Sequence, residues 1–170
     1  RNLLTLQLMQ QDTHTAIYIG RPCYFELGPV TRCSKQQWTQ GRYGEDIVSA
    51  IDAAISQTLK QYRPERVRLI GFSGGGALAV LIASRRDDID SVITVAGNLD
   101  TDLWTRQHGY LPLSGSLNPA LSPSLTIPTL HLTGGRDNAV PSNITRSYLK
   151  NHSGDVWCFP DFDHHCCWLD

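Results

Sequence analysis

The most constraining feature of this chain is the pentapeptide Gly71-Phe72-Ser73-Gly74-Gly75, set between the apolar run Val67-Arg68-Leu69-Ile70 and an apolar stretch from Gly75 to Ser84. The first run reads as a buried strand. The second reads as a helix that is apolar nearly all round, packed into the protein, with Arg85 and Arg86 at its favourable C-terminal end. A chain that passes from strand to helix this abruptly strains the backbone at Ser73, so the neighbours must be small. Gly71, Gly74, Gly75 and Gly76 meet that demand. The bend pushes the Ser73 hydroxyl out over the sheet edge and sets the Gly74 amide at a helix N-terminus, where its N–H can face a developing oxyanion. A phosphate-binding turn would need a Lys after the glycines or the G-x-G-x-x-G spacing, and neither is present.

The rest of the chain alternates short apolar runs with helical patterns, which predicts an α/β fold with a mostly parallel sheet flanked by helices. Ala16-Ile17-Tyr18-Ile19 reads as a buried strand. From Glu45 to Tyr62, Ile47, Ile51, Ile55 and Leu59 recur every four positions behind an acidic start, so this segment is an amphipathic helix that Pro64 ends. Ser91–Ala96 and Pro128–Thr133 are further strands, followed by a helix over about Ser142–Asn151 and a last strand, Asp155–Phe159. Residues 98–126 are rich in Pro, Ser, Gly and Asn without clear periodicity, and are expected to cover the strand ends as an irregular cap. Within this cap Leu99, Trp104, Tyr110, Leu111 and Leu113 are candidates to line an acyl pocket, or simply to pack it. Leu4, Leu6 and Leu8 fit a strand, while Leu4 and Leu8 share a helical face, and helix is the preferred reading. With no repeat or linker, residues 1–170 read as one domain.

A serine hydroxyl becomes a useful nucleophile only when a base takes its proton, so an orienting carboxylate and a histidine should follow in the order Ser, Asp, His. Asp137 lies just beyond the strand Pro128–Thr133, on a loop from which it could reach an imidazole; Asp100 is the rival acid. For the base, Asp163-His164-His165 follows the last strand, with His164 the choice and His165 its rival. His14, His108, His131 and His152 fit less well, lying too early in the chain, inside a strand or at a helix end. Metal chemistry is not expected, because His164, His165, Cys166 and Cys167 are sequence neighbours that cannot all point at one ion. No cofactor is called for either.

The net charge of −1 favours neither nucleic acid nor an anionic membrane, and no stretch approaches the roughly 20 apolar residues needed to span a bilayer. A small-molecule or acyl substrate is therefore the expected partner. Five cysteines cluster towards the two ends: Cys23 and Cys33, then Cys158, Cys166 and Cys167. Such usage suggests an oxidising compartment, with a Cys23–Cys33 clip and a second bridge from Cys158 to Cys166 or Cys167 that leaves one thiol over; the alternative is five reduced, half-buried thiols in a cytosolic protein.

These residues resemble the α/β-hydrolase superfamily of serine hydrolases, and more narrowly a bacterial group of secreted or lipid-anchored hydrolases. The narrower resemblance rests on Gly20-Arg21-Pro22-Cys23-Tyr24, Gly71-Phe72-Ser73-Gly74-Gly75-Gly76, Ala96-Gly97-Asn98-Leu99-Asp100, Gly134-Gly135-Arg136-Asp137-Asn138-Ala139-Val140-Pro141 and His164-His165-Cys166-Cys167-Trp168. It implies a three-layer fold, Ser73 as nucleophile, Asp137 as acid, His164 as base, and an envelope, periplasmic or secreted location. By the same resemblance Ala16–Ile19 corresponds to the fourth strand of the fold, so the first three are expected to be missing from this chain. A preceding N-terminal segment or a second chain would then complete the sheet. The expected activity is cleavage of an ester, thioester or amide through an acyl-enzyme, with a catalytically silent binding or interaction module as the alternative.

Overall fold

The computed structural model describes residues 4–24 and 33–169. In chain order its elements are α1 (Leu4–Gln11), α2 (Lys35–Trp38), α3 (Glu45–Tyr62), β1 (Arg68–Phe72), α4 (Gly74–Ala83), β2 (Ser91–Val95), α5 (Thr101–His108), a 3-10 turn (Pro119–Leu121), β3 (Thr129–Gly134), α6 (Ser142–Tyr148) and β4 (Asp155–Phe159). The strands form one parallel sheet in the order β1-β2-β3-β4, in which Leu69 pairs with Val92, Ile93 with Leu130 and Leu132 with Trp157. Each strand returns to the sheet through a helical connection, as parallel pairing requires. All strands therefore point the same way, and their C-terminal ends collect the loops that follow Phe72, Val95, Gly134 and Phe159 on one edge.

The four-residue ladder of α3 is inward-facing: Ile47, Val48, Ile51 and Ile55 are buried. The helix starts on Glu45 and Asp46, where negative charge suits its positive end, and stops at Arg63, which takes a left-handed conformation and bonds back to the Leu59 carbonyl. Helix α4 is buried from Gly76 to Ala83 because it separates two cores. Ala77, Leu78 and Leu81 pack with α3, Tyr43 and Leu113, whereas Ala79, Val80 and Ala83 pack with Val92, Leu99, Leu125 and Tyr148. A helix apolar on every side is what such a position demands.

Three expectations need correction. Among the described residues Ala16–Ile19 is not a strand: it lies outside the four-stranded sheet, and Ile17 and Tyr18 are 45% and 36% exposed. An apolar run becomes a strand only where a neighbour supplies hydrogen bonds; the segment before it is the expected helix, α1, which packs along β1. Residues 98–126 are not wholly irregular, since α5 and the 3-10 turn lie inside them. Cys23 and Cys33 are bonded as expected, but Cys166 pairs with its neighbour Cys167, leaving Cys158 free and exposed on β4.

Candidate active site

The turn after β1 holds Ser73 at φ 53°, ψ −119°, a conformation that costs a non-glycine residue energy and is kept only when the surroundings enforce it. They do so here through hydrogen bonds at both ends of the residue. The Ser73 N–H donates to the Val95 carbonyl at 2.9 Å, and the Ser73 carbonyl accepts from Gly76 at 3.0 Å and Asn98 at 3.1 Å. Close packing explains the glycine before it, because a methyl group at Gly71 would run into the carbonyl of Gly75. Ser73 is thus fixed between the end of β2 and the first turn of α4. Gly74 opens that helix, where the first amides have no carbonyl partner within the helix.

Asp137 and His164 arrive from two loops that are tied together. Gly135 N–H donates to the Phe159 carbonyl at 2.8 Å and Arg136 N–H to the Phe162 carbonyl at 2.9 Å, so the loop after β3 and the loop after β4 hold each other. The approach is close enough that a Cβ on Gly134 would stand 2.5 Å from the Phe162 oxygen. Within its loop Asp137 is almost wholly buried, and its Oδ1 accepts from the amides of Ala139 and Val140, both at 2.8 Å. These bonds fix the carboxylate plane and leave Oδ2 for another partner. In the second loop, Asp163 Oδ1 accepts from the amides of His165 at 2.7 Å and Cys166 at 2.8 Å. Those amide bonds hold the exposed Asp163 carboxyl below its usual range. Phe159, Phe162 and Trp168 pack ring against ring and seat the tail, and the Trp168 indole donates to the Asp163 carbonyl.

The two loops bring His164 between Asp137 and Ser73. His164 Nδ1 lies 2.8 Å from Asp137 Oδ2, and Nε2 lies 3.0 Å from Ser73 Oγ. An ionised carboxylate can only accept, so Nδ1 carries the ring proton and Nε2 is left to accept from the Ser73 hydroxyl. The imidazole side chain is 13% exposed and the Asp137 side chain not at all, which shields the pair from competing water. The Phe72 ring, 4.9 Å from that of His164, flanks the imidazole. Such a chain can draw the serine proton onto nitrogen as the oxygen attacks, and stabilise the imidazolium that results.

The rival residues are placed elsewhere. His165 is exposed, its ring perpendicular to that of His164 at 5.3 Å, and its bonding is through its backbone to Asp163. Asp100 caps α5: Oδ1 accepts from the Leu103 amide at 3.0 Å and Oδ2 from Ser147 Oγ at 2.7 Å. His131 is buried in β3 against Thr94, His152 stacks on Tyr148, and His14 bonds Asp12 at the surface. Of the candidate pocket residues, Leu99 and Leu113 are core, Leu111 is 85% exposed, and Trp104 donates its indole N–H to the Ala139 carbonyl at 2.7 Å, bracing the Asp137 loop. Two residues near the site escaped sequence reading: Asp163, whose loop-closing role is signalled by its place just before His164, and Tyr43, which nothing in the sequence marks. The Tyr43 hydroxyl abuts Gly74, lying 2.7 Å from where a Cβ would be. Two surface hollows, one lined by Leu59, Pro64, Val67 and Asp88 and the other by Gln37, Asp46 and Gly115, contain none of Ser73, Asp137 and His164. Hydrogen bonding, not surface shape, locates this site.

A family model described as serine hydrolase (FSH1) matches residues 31–165. The chain belongs to this family. Solved structures share the fold of this serine hydrolase at low identity. The Pyrococcus furiosus esterase PF2001 superposes with a TM-score of 0.57 at 19% identity, over 72% of this chain and 55% of that one. Puromycin hydrolase gives 0.57 at 19% identity over 73% and 22%, and an acetyl ester-xyloside bifunctional hydrolase from Caldicellulosiruptor lactoaceticus gives 0.56 at 17% over 72% and 58%. The likeness establishes the α/β-hydrolase fold. The chain spans about half the length of the first of these relatives and about a fifth of the second. A search of curated proteins returned no match.

Proposed function

We propose that the protein cleaves an ester, thioester or amide through an acyl-enzyme formed on Ser73. The observation that carries this reading is the unbroken chain of hydrogen bonds Ser73–His164–Asp137, at 3.0 and 2.8 Å, in a chain of the serine hydrolase family. Ser73 Oγ attacks the carbonyl carbon while its proton passes to His164 Nε2, and Asp137 holds the ring in the tautomer that can accept it. The Gly74 N–H stabilises the oxyanion of the tetrahedral intermediate. Its collapse expels the leaving group, which takes the proton from His164; a water then repeats the sequence and frees the serine. The esterase and acetyl-ester hydrolase among the fold relatives favour an ester. Two bonded cysteine pairs support an oxidising compartment, the envelope or the exterior.

The test is turnover of a short-chain p-nitrophenyl ester by the full chain and by Ser73→Ala and His164→Ala. Each variant should lose about a thousandfold or more in kcat. Turnover that persists in Ser73→Ala would overturn the reading.

A further inference from the structure

Two ring donors converge on one carbonyl at the surface. Trp104 Nε1–H donates to the Ala139 carbonyl at 2.7 Å, and His108 Nε2 lies 3.0 Å from the same oxygen. A carbonyl can only accept, so His108 carries a proton on Nε2. The two residues are four apart and share one face of α5. Their rings lie 5.4 Å apart, and Tyr110 packs on both, stacked on His108 at 5.1 Å and edge-on to Trp104 at 5.2 Å. Ala139 is exposed, so water could satisfy its oxygen without either ring. Burial of the carbonyl therefore does not explain why two half-buried side chains of α5 are committed to it.

What distinguishes this carbonyl is the other end of its amide. The Ala139 oxygen belongs to the same peptide unit as the Val140 N–H, which donates to Asp137 Oδ1 at 2.8 Å beside the Ala139 N–H, also at 2.8 Å. Hydrogen bonds accepted by an amide oxygen polarise the conjugated C–N bond and make its N–H a better donor. Trp104 and His108 thus fix the plane of this peptide and strengthen the bond it makes to the buried carboxylate. The second carboxylate oxygen, Oδ2, meets His164 Nδ1 at 2.8 Å. A turn of the peptide would turn the carboxylate and shift the imidazole against Ser73. Helix α5 is anchored to the nucleophile as well. Asn98, two residues before the cap Asp100, donates its N–H to the Ser73 carbonyl at 3.1 Å, and Asp100 Oδ2 accepts from Ser147 on α6. One short connection therefore bonds Ser73 ahead of α5 and the Asp137 loop from its last turns, as a strut between nucleophile and acid.

We propose that Trp104 and His108 are positioning residues of the hydrolytic site, holding the Asp137 carboxylate towards His164 through the Ala139–Val140 peptide. The proposal rests on the hydrolase reading above, and its test separates the two. Trp104→Phe and His108→Phe each keep an aromatic ring and remove one donor, whereas His108→Gln keeps an N–H near the place of Nε2. Turnover of a short-chain p-nitrophenyl ester is measured for the full chain, these variants and the double phenylalanine variant, with circular dichroism to confirm folding. Each phenylalanine variant should lower kcat about tenfold and the double about a hundredfold, with KM within about twofold of wild type. His108→Gln should recover most of the loss. A second readout needs no turnover: the far-downfield proton resonance of His164 Nδ1, assigned by its absence in His164→Ala. It should move upfield in each phenylalanine variant and return in His108→Gln. The two phenylalanine variants remove separate donors, so either one that folds carries the test. A folded phenylalanine variant with wild-type kcat overturns the proposal, and so does one that loses activity, through kcat or KM, with the resonance unmoved; both outcomes leave the hydrolase reading intact. A wild type without Ser73-dependent turnover, whose His164 resonance still moves in the variants, overturns the hydrolase reading and supports the link from α5 to Asp137.

Discussion

At the scale of single residues, the proposed chemistry depends on which atoms of Asp137 and His164 face each other. Oδ1 of Asp137 is committed to two backbone amides, so an Asp137→Asn side chain keeps its oxygen there and turns its NH2 towards His164. That NH2 needs an acceptor, which forces the imidazole into the tautomer with its proton on Nε2, unable to accept from Ser73. Asp137→Asn should therefore lower kcat by about 10⁴ with little change in fold, as steady-state kinetics on an aryl ester would show. His165 supplies the contrast. Its ring reaches neither Ser73 nor Asp137, so His165→Ala should stay within about threefold of wild type while His164→Ala is nearly inactive. The sequence alone left the two histidines one register step apart. What separates them is the Asp163 carboxylate, which collects the amides of His165 and Cys166 and turns His164 inwards.

Among the elements, the strand-turn-helix around Ser73 and the ladder of α3 were legible because their signals are local: glycines at a tight bend, and isoleucines four apart. Ala16–Ile19 and α5 were not, for opposite reasons. The first has strand-like residues but, among the described residues, lies outside the ladders of the sheet. Helix α5 has little apolar periodicity, since it buries Thr101 and Thr105, and is defined by its ends: Asp100 as the N-terminal cap and Gly109 in the left-handed conformation at φ 64°. Asp100 also accepts from Ser147 on α6, so Asp100→Ala should cost about 1–2 kcal/mol, read from the denaturant midpoint. The cysteine pairing was equally illegible, because it depends on which sulfurs a loop brings together. The loops after β3 and β4 act as one unit at Gly134, where a methyl group would press on the Phe162 carbonyl. Gly134→Ala should move His164 relative to Asp137 and lower kcat/KM about a hundredfold, well beyond its effect on the melting temperature.

The molecule as a whole places its chemistry at the C-terminal ends of a parallel sheet and its stability in the two cores on either side of α4. The second core carries a pH liability. His131 is fully buried in β3, and burial, with a smaller contribution from His152, lowers its pKa from 6.5 to about 4. As pH falls from about 6.5 to 4, the unfolded chain takes up a proton that the native protein refuses, so this stability is present at neutral pH and is lost across that window. The loss should amount to about 3 kcal/mol in denaturant titrations at stepped pH, and should shrink in His131→Gln, which keeps a partner for Thr94 but does not titrate. The chemistry itself has a more direct test. Wild-type full chain and Ser73→Ala are exposed to a fluorophosphonate, digested and mapped by mass spectrometry. The account predicts the phosphonate on the peptide containing Ser73 in wild type and no adduct in the variant; a folded wild-type protein left unlabelled at Ser73, or an adduct that survives Ser73→Ala, would contradict it.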